Sequence, residues 1–235
     1  MISRMVASVV VCLALSVVST APSPGLAQEQ AASAPCGAEG TPEASPGATP
    51  AAGGESQLVD LENGEALLWP AGDRGVLLLH GAAYDAASWE PQATVLAGEG
   101  YTVLSLETLS SEAVIEGIDF LTGECDVAGV TVVGASAGGA AALGALANDP
   151  QAVTGLILLG ATGEVETLGE YPKLFTASEG EGVADRLEMM AESAPGEANE
   201  TLILQGSAHA QAIFETDQGD ALMEAILAFL DETGS

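Results

Sequence analysis

The sequence predicts an α/β domain with a mainly parallel central sheet and helices on both faces, and three observations carry that prediction. Short runs of Val, Leu and Ile recur along the chain and end at glycine or a polar residue, the pattern of strands buried on both faces. Segments with apolar residues at helical spacing lie between these runs. Strand followed by helix then repeats over most of the length, which calls for right-handed crossovers and a sheet covered on both sides.

The alternation starts near Leu58. Residues 65–69 read as an entry strand. Gly75 to His80 is an apolar run of strand length, and a helix is expected over 89–98. A strand follows at 101–106. Residues 111–122 place Val114, Ile115, Ile118 and Leu121 at helical spacing. The spacing then predicts a strand at 130–133 and a helix over 137–148, stopped before Pro150. Strands are expected at 153–159 and 173–177, a helix at 183–193, a strand at 201–204 and a closing helix at 219–232.

At 235 residues the chain accommodates one domain with a sizeable core and a tail. Residues 1–27 read as a secretory signal peptide. Arg4 supplies the positive region, an apolar run follows from Met5 to Val18, and Gly25-Leu26-Ala27 offers a cleavage site. That run is short for a membrane anchor, and Ser16, Ser19 and Pro22 dilute its far end. The expectation is therefore an extracellular protein with no membrane attachment after cleavage. Residues 28–56 are Ala, Pro, Gly, Ser, Thr and Glu with almost no large apolar side chain, and read as a disordered linker. The folded domain is expected to occupy 57–235.

Bases are nearly missing. Arg4, Arg74, Lys173 and Arg186 are the full set, and the formal net charge is −30. That balance excludes nucleic acid and anionic membrane as partners. A monomer is expected. After signal removal two cysteines remain, Cys36 and Cys125. In an oxidising compartment they either pair, tying the tail to the domain, or stay as separate thiols. Their spacing matches no metal pattern, so neither a metal nor another cofactor is expected.

In an open parallel sheet the site lies at the carboxyl ends of the strands. His80, Ser136 and His209 stand at such ends, with Glu107, Glu164, Glu179 and Glu181. Ser136 carries the strongest signal. An apolar strand leads into Gly134-Ala135-Ser136-Ala137-Gly138-Gly139, and an Ala-rich helix follows. A nucleophile on a sharp strand-to-helix turn needs small residues two positions before and after it, and a helix N-terminus directs amides toward developing negative charge. The bland reading is a serine that merely caps the helix.

A hydroxyl nucleophile needs a base, and the chain has two histidines. His209, in the loop Gly206-Ser207-Ala208-His209-Ala210, is the candidate base. His80 closes a strand ahead of the serine and reads as a residue that shapes its loop. The acid that orients the imidazole is expected in Ser178-Glu179-Gly180-Glu181-Gly182. Glu181, in a turn flanked by glycines, is the first choice; Glu179 and the more distant Asp185 are its rivals.

These segments together resemble the α/β-hydrolase superfamily over roughly residues 58–230. Leu77-Leu78-Leu79-His80-Gly81-Ala82-Ala83 with Trp89 is similar to its His-Gly oxyanion segment, Gly134 to Gly138 to its nucleophile elbow, and Gly206 to His209 to its histidine loop. The order Ser136, acid, His209 is also the superfamily's. The resemblance implies an α/β-hydrolase fold. It also implies an oxyanion hole from the backbone amides of Ala137 and of Ala82 or Ala83, and two-step acyl transfer from a carboxylic ester. The chain departs from the pattern in carrying Glu where Asp is commoner. A dienelactone-hydrolase-like enzyme would carry cysteine at the nucleophile, and Ser136 speaks against that.

Lids in this superfamily usually follow the strand at 153–159. Here only residues 161–172 intervene, too few for a helical cap, so an open site is expected. Glu164, Glu166 and Glu170 are expected to make one rim negative, favouring neutral short- to medium-chain esters over anionic ones. The reading from another class is a catalytically silent hydrolase-like domain that binds a ligand.

Overall fold

The computed structural model describes Cys36, residues 54–147 and residues 152–233. The expected signal peptide, nearly all of the expected linker and the approach to Pro150 lie outside the described residues.

Eight strands form one sheet: β1 (Gln57–Leu61), β2 (Gly64–Trp69), β3 (Arg74–Leu79), β4 (Tyr101–Leu106), β5 (Val130–Ala135), β6 (Val153–Leu159), β7 (Lys173–Ser178) and β8 (Asn199–Leu204). Five α-helices connect them: α1 (Glu90–Gly98), α2 (Ser111–Gly123), α3 (Ala137–Leu146), α4 (Ala184–Ser193) and α5 (Gly219–Thr233). The strand order is β1-β2-β4-β3-β5-β6-β7-β8. β1–β2 and β2–β4 pair antiparallel and every other pair is parallel. The α/β class, with a mainly parallel sheet, is therefore as the sequence predicts.

The period-two alternation of strand side chains divides the core into two layers. Leu77, Leu79, Val130 and Val132 face α2, α3 and α4 through Val114, Ile118, Leu146, Leu187 and Met190. Val76, Leu78, Val133 and Ile157 face α1 and α5 through Leu96, Leu222, Ile226 and Phe229. β3, β4 and β5 are almost wholly buried along their lengths, which is why they read as unbroken apolar runs.

β1 is an addition to the expected elements; it forms a hairpin with β2, the expected entry strand. β1 is mostly exposed, and Leu58 retains 64% of its accessible surface, so no apolar signal marks it. Its turn is fixed from outside: the Glu116 carboxylate on α2 accepts from the backbone N–H of Glu62 and of Asn63 (2.8 Å) and from Asn63 Nδ2 (2.7 Å). These bonds hold the Glu116 carboxyl below its usual range against the opposing effect of its partial desolvation. A second addition is a 3-10 turn over Ala210–Glu215, directly after the histidine loop.

Cys36 and Cys125 are joined as a disulfide, which settles the alternative of two separate thiols. Cys125 lies between α2 and β5, at the end of the sheet where the parallel strands begin.

The segment from Gly160 to Pro172 contains no helix or strand. Val165 and Leu168 bury their side chains. Lys173, fully buried, pins the far end of the segment: its Nζ donates to the carbonyls of Gly169 (2.7 Å), Tyr171 (2.6 Å) and Pro195 (2.7 Å). This placement corrects one expectation. Glu170 sits against the turn before β8, its carbonyl oxygen 2.4 Å from where a Cβ on Gly196 would be, at the starting end of the strands. It does not belong to the same rim as Glu164 and Glu166, because the segment crosses from one end of the sheet to the other.

Candidate active site

Ser136 stands between β5 and α3 with φ 49° and ψ −105°. An L-residue holds that conformation only when its surroundings over-determine it. The surroundings here are backbone. Ser136 N–H donates to Leu159 O (2.9 Å), and Gly138 N–H donates to His80 O (3.0 Å). The glycines are obligatory: a Cβ on Gly138 would lie 2.3 Å from Leu79 O, and one on Gly134 would lie 2.7 Å from Gly139 Cα. Ser136 does not cap α3 with its side chain. The capping explanation for this serine therefore fails.

Its Oγ instead meets His209 Nε2 at 2.8 Å, and the other ring nitrogen, Nδ1, is bonded to Glu181 Oε2. The remaining carboxylate oxygen, Oε1, accepts from Ser178 N–H at 2.7 Å. Three strand ends supply these groups: β5 the serine, β7 the glutamate through a 3-10 turn, and β8 the histidine loop. The two loops are stitched by Ser178 Oγ donating to Ala208 O (2.7 Å) and Gly180 N–H donating to Gly206 O (2.8 Å). Gly160, at φ 59°, lies beneath the pair: a Cβ there would be 3.0 Å from both Glu181 Oε2 and the His209 ring.

Burial differs sharply across the three side chains. Glu181 keeps 8% of its side-chain exposure and His209 keeps 56%. Ser136 is half-buried. The acid is therefore shielded, while the serine and imidazole face solvent at an open surface. A neutral His209 with its proton on Nδ1 can accept the hydroxyl proton of Ser136 at Nε2, and the carboxylate stabilises the imidazolium that results.

Of the rival acids, Glu179 is exposed and Asp185 lies on α4 with an exposed side chain. Neither bonds to His209. Glu107 turns elsewhere, accepting from Ala86 N–H at 2.9 Å. His80 is buried beside the serine's loop, with its ring nitrogens at 2.9 Å from Gly81 O and 3.1 Å from Glu107 O. That geometry fits the loop-shaping role read from its position.

The segment Gly81–Ala83 abuts the serine. A Cβ on Gly81 would be 3.9 Å from Ser136 Cβ, and Ala82 and Ala83 are exposed. Among the described residues, the backbone amides of Ala82, Ala83 and Ala137 donate to no protein acceptor. Amides so placed can receive an oxyanion.

Two residues at this site carried no signal in the sequence. Tyr84, packed near Gly81, donates its hydroxyl to Glu215 Oε1 at 3.1 Å. Desolvation, and then the hydrogen bond and charge of Glu215, push its phenol above the ordinary range. Gln211, 4% exposed, accepts from Gly81 N–H (3.2 Å) and donates to Ser88 Oγ (2.8 Å). The contacts of both arise between loops distant in sequence, so no local motif announces them.

No family model and no curated protein matches the chain. Among solved structures, a dienelactone hydrolase from Anabaena variabilis is similar at 19% identity and a TM-score of 0.64, covering 76% of this chain and 99% of its own. An esterase from Thermogutta terrifontis is similar at 14% identity and a TM-score of 0.60, over 77% of this chain and 100% of its own. An esterase from Exiguobacterium antarcticum is similar at 13% identity and a TM-score of 0.59, over 74% and 98% respectively. At these identities the likeness establishes the architecture: the chain has the α/β-hydrolase fold.

Proposed function

We propose that the protein is a serine hydrolase that cleaves carboxylic esters by two-step acyl transfer. The observation that carries this reading is the single imidazole of His209, bonded on one side to Ser136 Oγ at 2.8 Å and on the other to the shielded Glu181 carboxylate. Ser136 Oγ attacks the ester carbonyl as its proton passes to His209 Nε2. The negative charge formed on the carbonyl oxygen is received by the amide of Ala137 together with that of Ala82 or Ala83. Collapse expels the alcohol, which takes the proton from His209. Water, deprotonated by the same imidazole, then attacks the acyl-serine, and the acid leaves as Ser136 recovers its proton.

The exposed imidazole and the short Gly160–Pro172 segment support an open site without a lid. Glu164 and Glu166 on that segment and Glu215 at the Tyr84 hydroxyl support a preference for neutral over anionic esters, of short to medium chain. The apolar N-terminal run and the Cys36–Cys125 disulfide support function outside the cell.

The test is hydrolysis of neutral p-nitrophenyl esters graded by acyl length, alongside ω-carboxylated esters of equal length. Wild-type protein is expected to turn over the neutral series, with activity lost in Ser136→Ala and His209→Ala. A faster anionic series would contradict the substrate class. Turnover that persists in Ser136→Ala would contradict the mechanism.

A further inference from the structure

His209 and Gln211 are separated by one residue, Ala210, whose φ is +50°. Alanine has no intrinsic tolerance for that region, so the conformation must be held by what lies on either side. On one side the His209 ring is bonded to Glu181 and Ser136. On the other, the Gln211 side chain is turned inward and 4% exposed. The reversal at Ala210 sends the two side chains to different elements of one site: the imidazole to the serine, the carboxamide to the oxyanion segment.

The Gln211 contacts use both ends of its amide. Oε1 accepts from Gly81 N–H at 3.2 Å, in the His80–Gly81 peptide, one unit before the peptide that carries the Ala82 N–H. Nε2 donates to Ser88 Oγ at 2.8 Å, and that hydroxyl in turn donates to the Asp85 carbonyl. One side chain thereby clamps both ends of the loop 81–88, the loop that carries the Ala82 and Ala83 amides. Near Ser136 the loop's short-range ties converge on Gly81 O, which accepts from Tyr84 N–H at 3.0 Å and lies 2.9 Å from His80 Nδ1.

We infer that Gln211 is a positioning residue: it fixes the Gly81–Ala83 backbone relative to His209, so that the oxyanion donors and the base are set by one bridge. This rests on the serine hydrolase reading above. Gln211 touches no reacting atom. It acts through the Gly81 peptide, and a shift of about 1 Å in donors of this kind costs roughly a hundredfold in rate.

The shape of Gln211 can be kept while its bonds are changed. Gln211→Leu removes both bonds with little change in volume. Gln211→Glu keeps an acceptor for Gly81 but loses the donor to Ser88 when ionised, and regains it when protonated. The expected result for Gln211→Leu, per folded molecule, is a kcat lowered about a hundredfold with KM changed less than about threefold. A trifluoromethyl ketone analogue of the ester should lose affinity in parallel with kcat/KM. Amide hydrogen exchange at Gly81 should rise from protected to near loop rates. Gln211→Glu should lose less activity, relative to wild type, as the pH falls toward 5.

Wild-type kcat in both variants, or Gly81 protection unchanged in Gln211→Leu, overturns the inference. If Gln211→Leu unfolds, the pH profile of Gln211→Glu decides the question alone: activity that stays a constant fraction of wild type as the pH falls overturns it. Wild-type protein labelled at Ser136 by a fluorophosphonate establishes that a failure belongs to this inference. Unlabelled wild-type protein overturns the hydrolase reading, and the inference with it.

Discussion

The backbone N–H of Ser178 donates to Oε1 of Glu181 at 2.7 Å, so the carboxylate that meets His209 is anchored by the last residue of its own strand. The anchor leaves Oε2 for Nδ1 and fixes the imidazole plane. Glu181→Gln can keep the Ser178 bond, but it then presents an NH2 group to Nδ1 and forces the proton onto Nε2, where Ser136 needs an acceptor. The expected loss in kcat is about 10⁴-fold, with KM little changed. Glu179→Gln should stay within about twofold of wild type, since Glu179 is exposed and away from the ring. Steady-state kinetics of the two variants check this; the reverse pattern would move the acid to Glu179.

Gly138 and Gly123 should respond oppositely to alanine. A Cβ at Gly138 meets the Leu79 carbonyl oxygen at 2.3 Å and that of His80 at 2.7 Å, and backbone cannot give way as a side chain can. Gly138→Ala is expected to destabilise by about 3 kcal/mol and to abolish turnover by displacing the serine from the oxyanion segment. Gly123 ends α2 with nothing within 4 Å of its Cβ position. Gly123→Ala is expected to stabilise by about 0.5–1 kcal/mol. Urea unfolding measures both.

The disulfide closes a sequence separation of 89 residues at the end of the sheet opposite the site. Loop entropy for that span corresponds to about 4.6 kcal/mol. Cys36→Ser with Cys125→Ser should lower Tm by on the order of 10 °C. Well below the new Tm, kcat/KM should be unchanged. Calorimetry paired with ester hydrolysis separates the two effects.

Burial pushes the Tyr101 phenol up to about 12; the Arg74 guanidinium over its ring opposes this, and the bond to Asp231 adds to it. The folded state thus holds the phenolic proton more tightly than the unfolded chain does. The contribution is fully present below the unfolded value near 10 and is lost as pH rises through about 12. Stability measured by urea titration should fall between those limits. Tyr101→Phe should flatten that slope while leaving stability below pH 9 insensitive to pH for this group.

The parallel core was legible because burial on both faces leaves an unmistakable apolar run: β4 and β6 begin and end where their sequences do. β1 was not, since its alternation is broken by exposure and its turn is held by Glu116, fifty-odd residues away. Ser136 and its glycines were legible because strain leaves a compositional trace. Glu181 could be put ahead of Glu179 from its place in a glycine-flanked turn, but the bond to His209 shows only once the 3-10 turn has set the direction of each carboxylate. Gln211 and Tyr84 were silent, because each acts across more than a hundred residues through a bond no local pattern records.

The proposed reaction requires Ser136 to be a nucleophile activated by His209. Intact-protein mass spectrometry after exposure to a fluorophosphonate tests it most directly, with the adduct mapped by peptide sequencing. Wild-type protein should gain one phosphonyl group at Ser136, Ser136→Ala should gain none, and His209→Ala should label at least about a thousandfold more slowly. Folded wild-type protein that stays unlabelled, or a label at another residue that survives Ser136→Ala, would show that Ser136 is not the nucleophile.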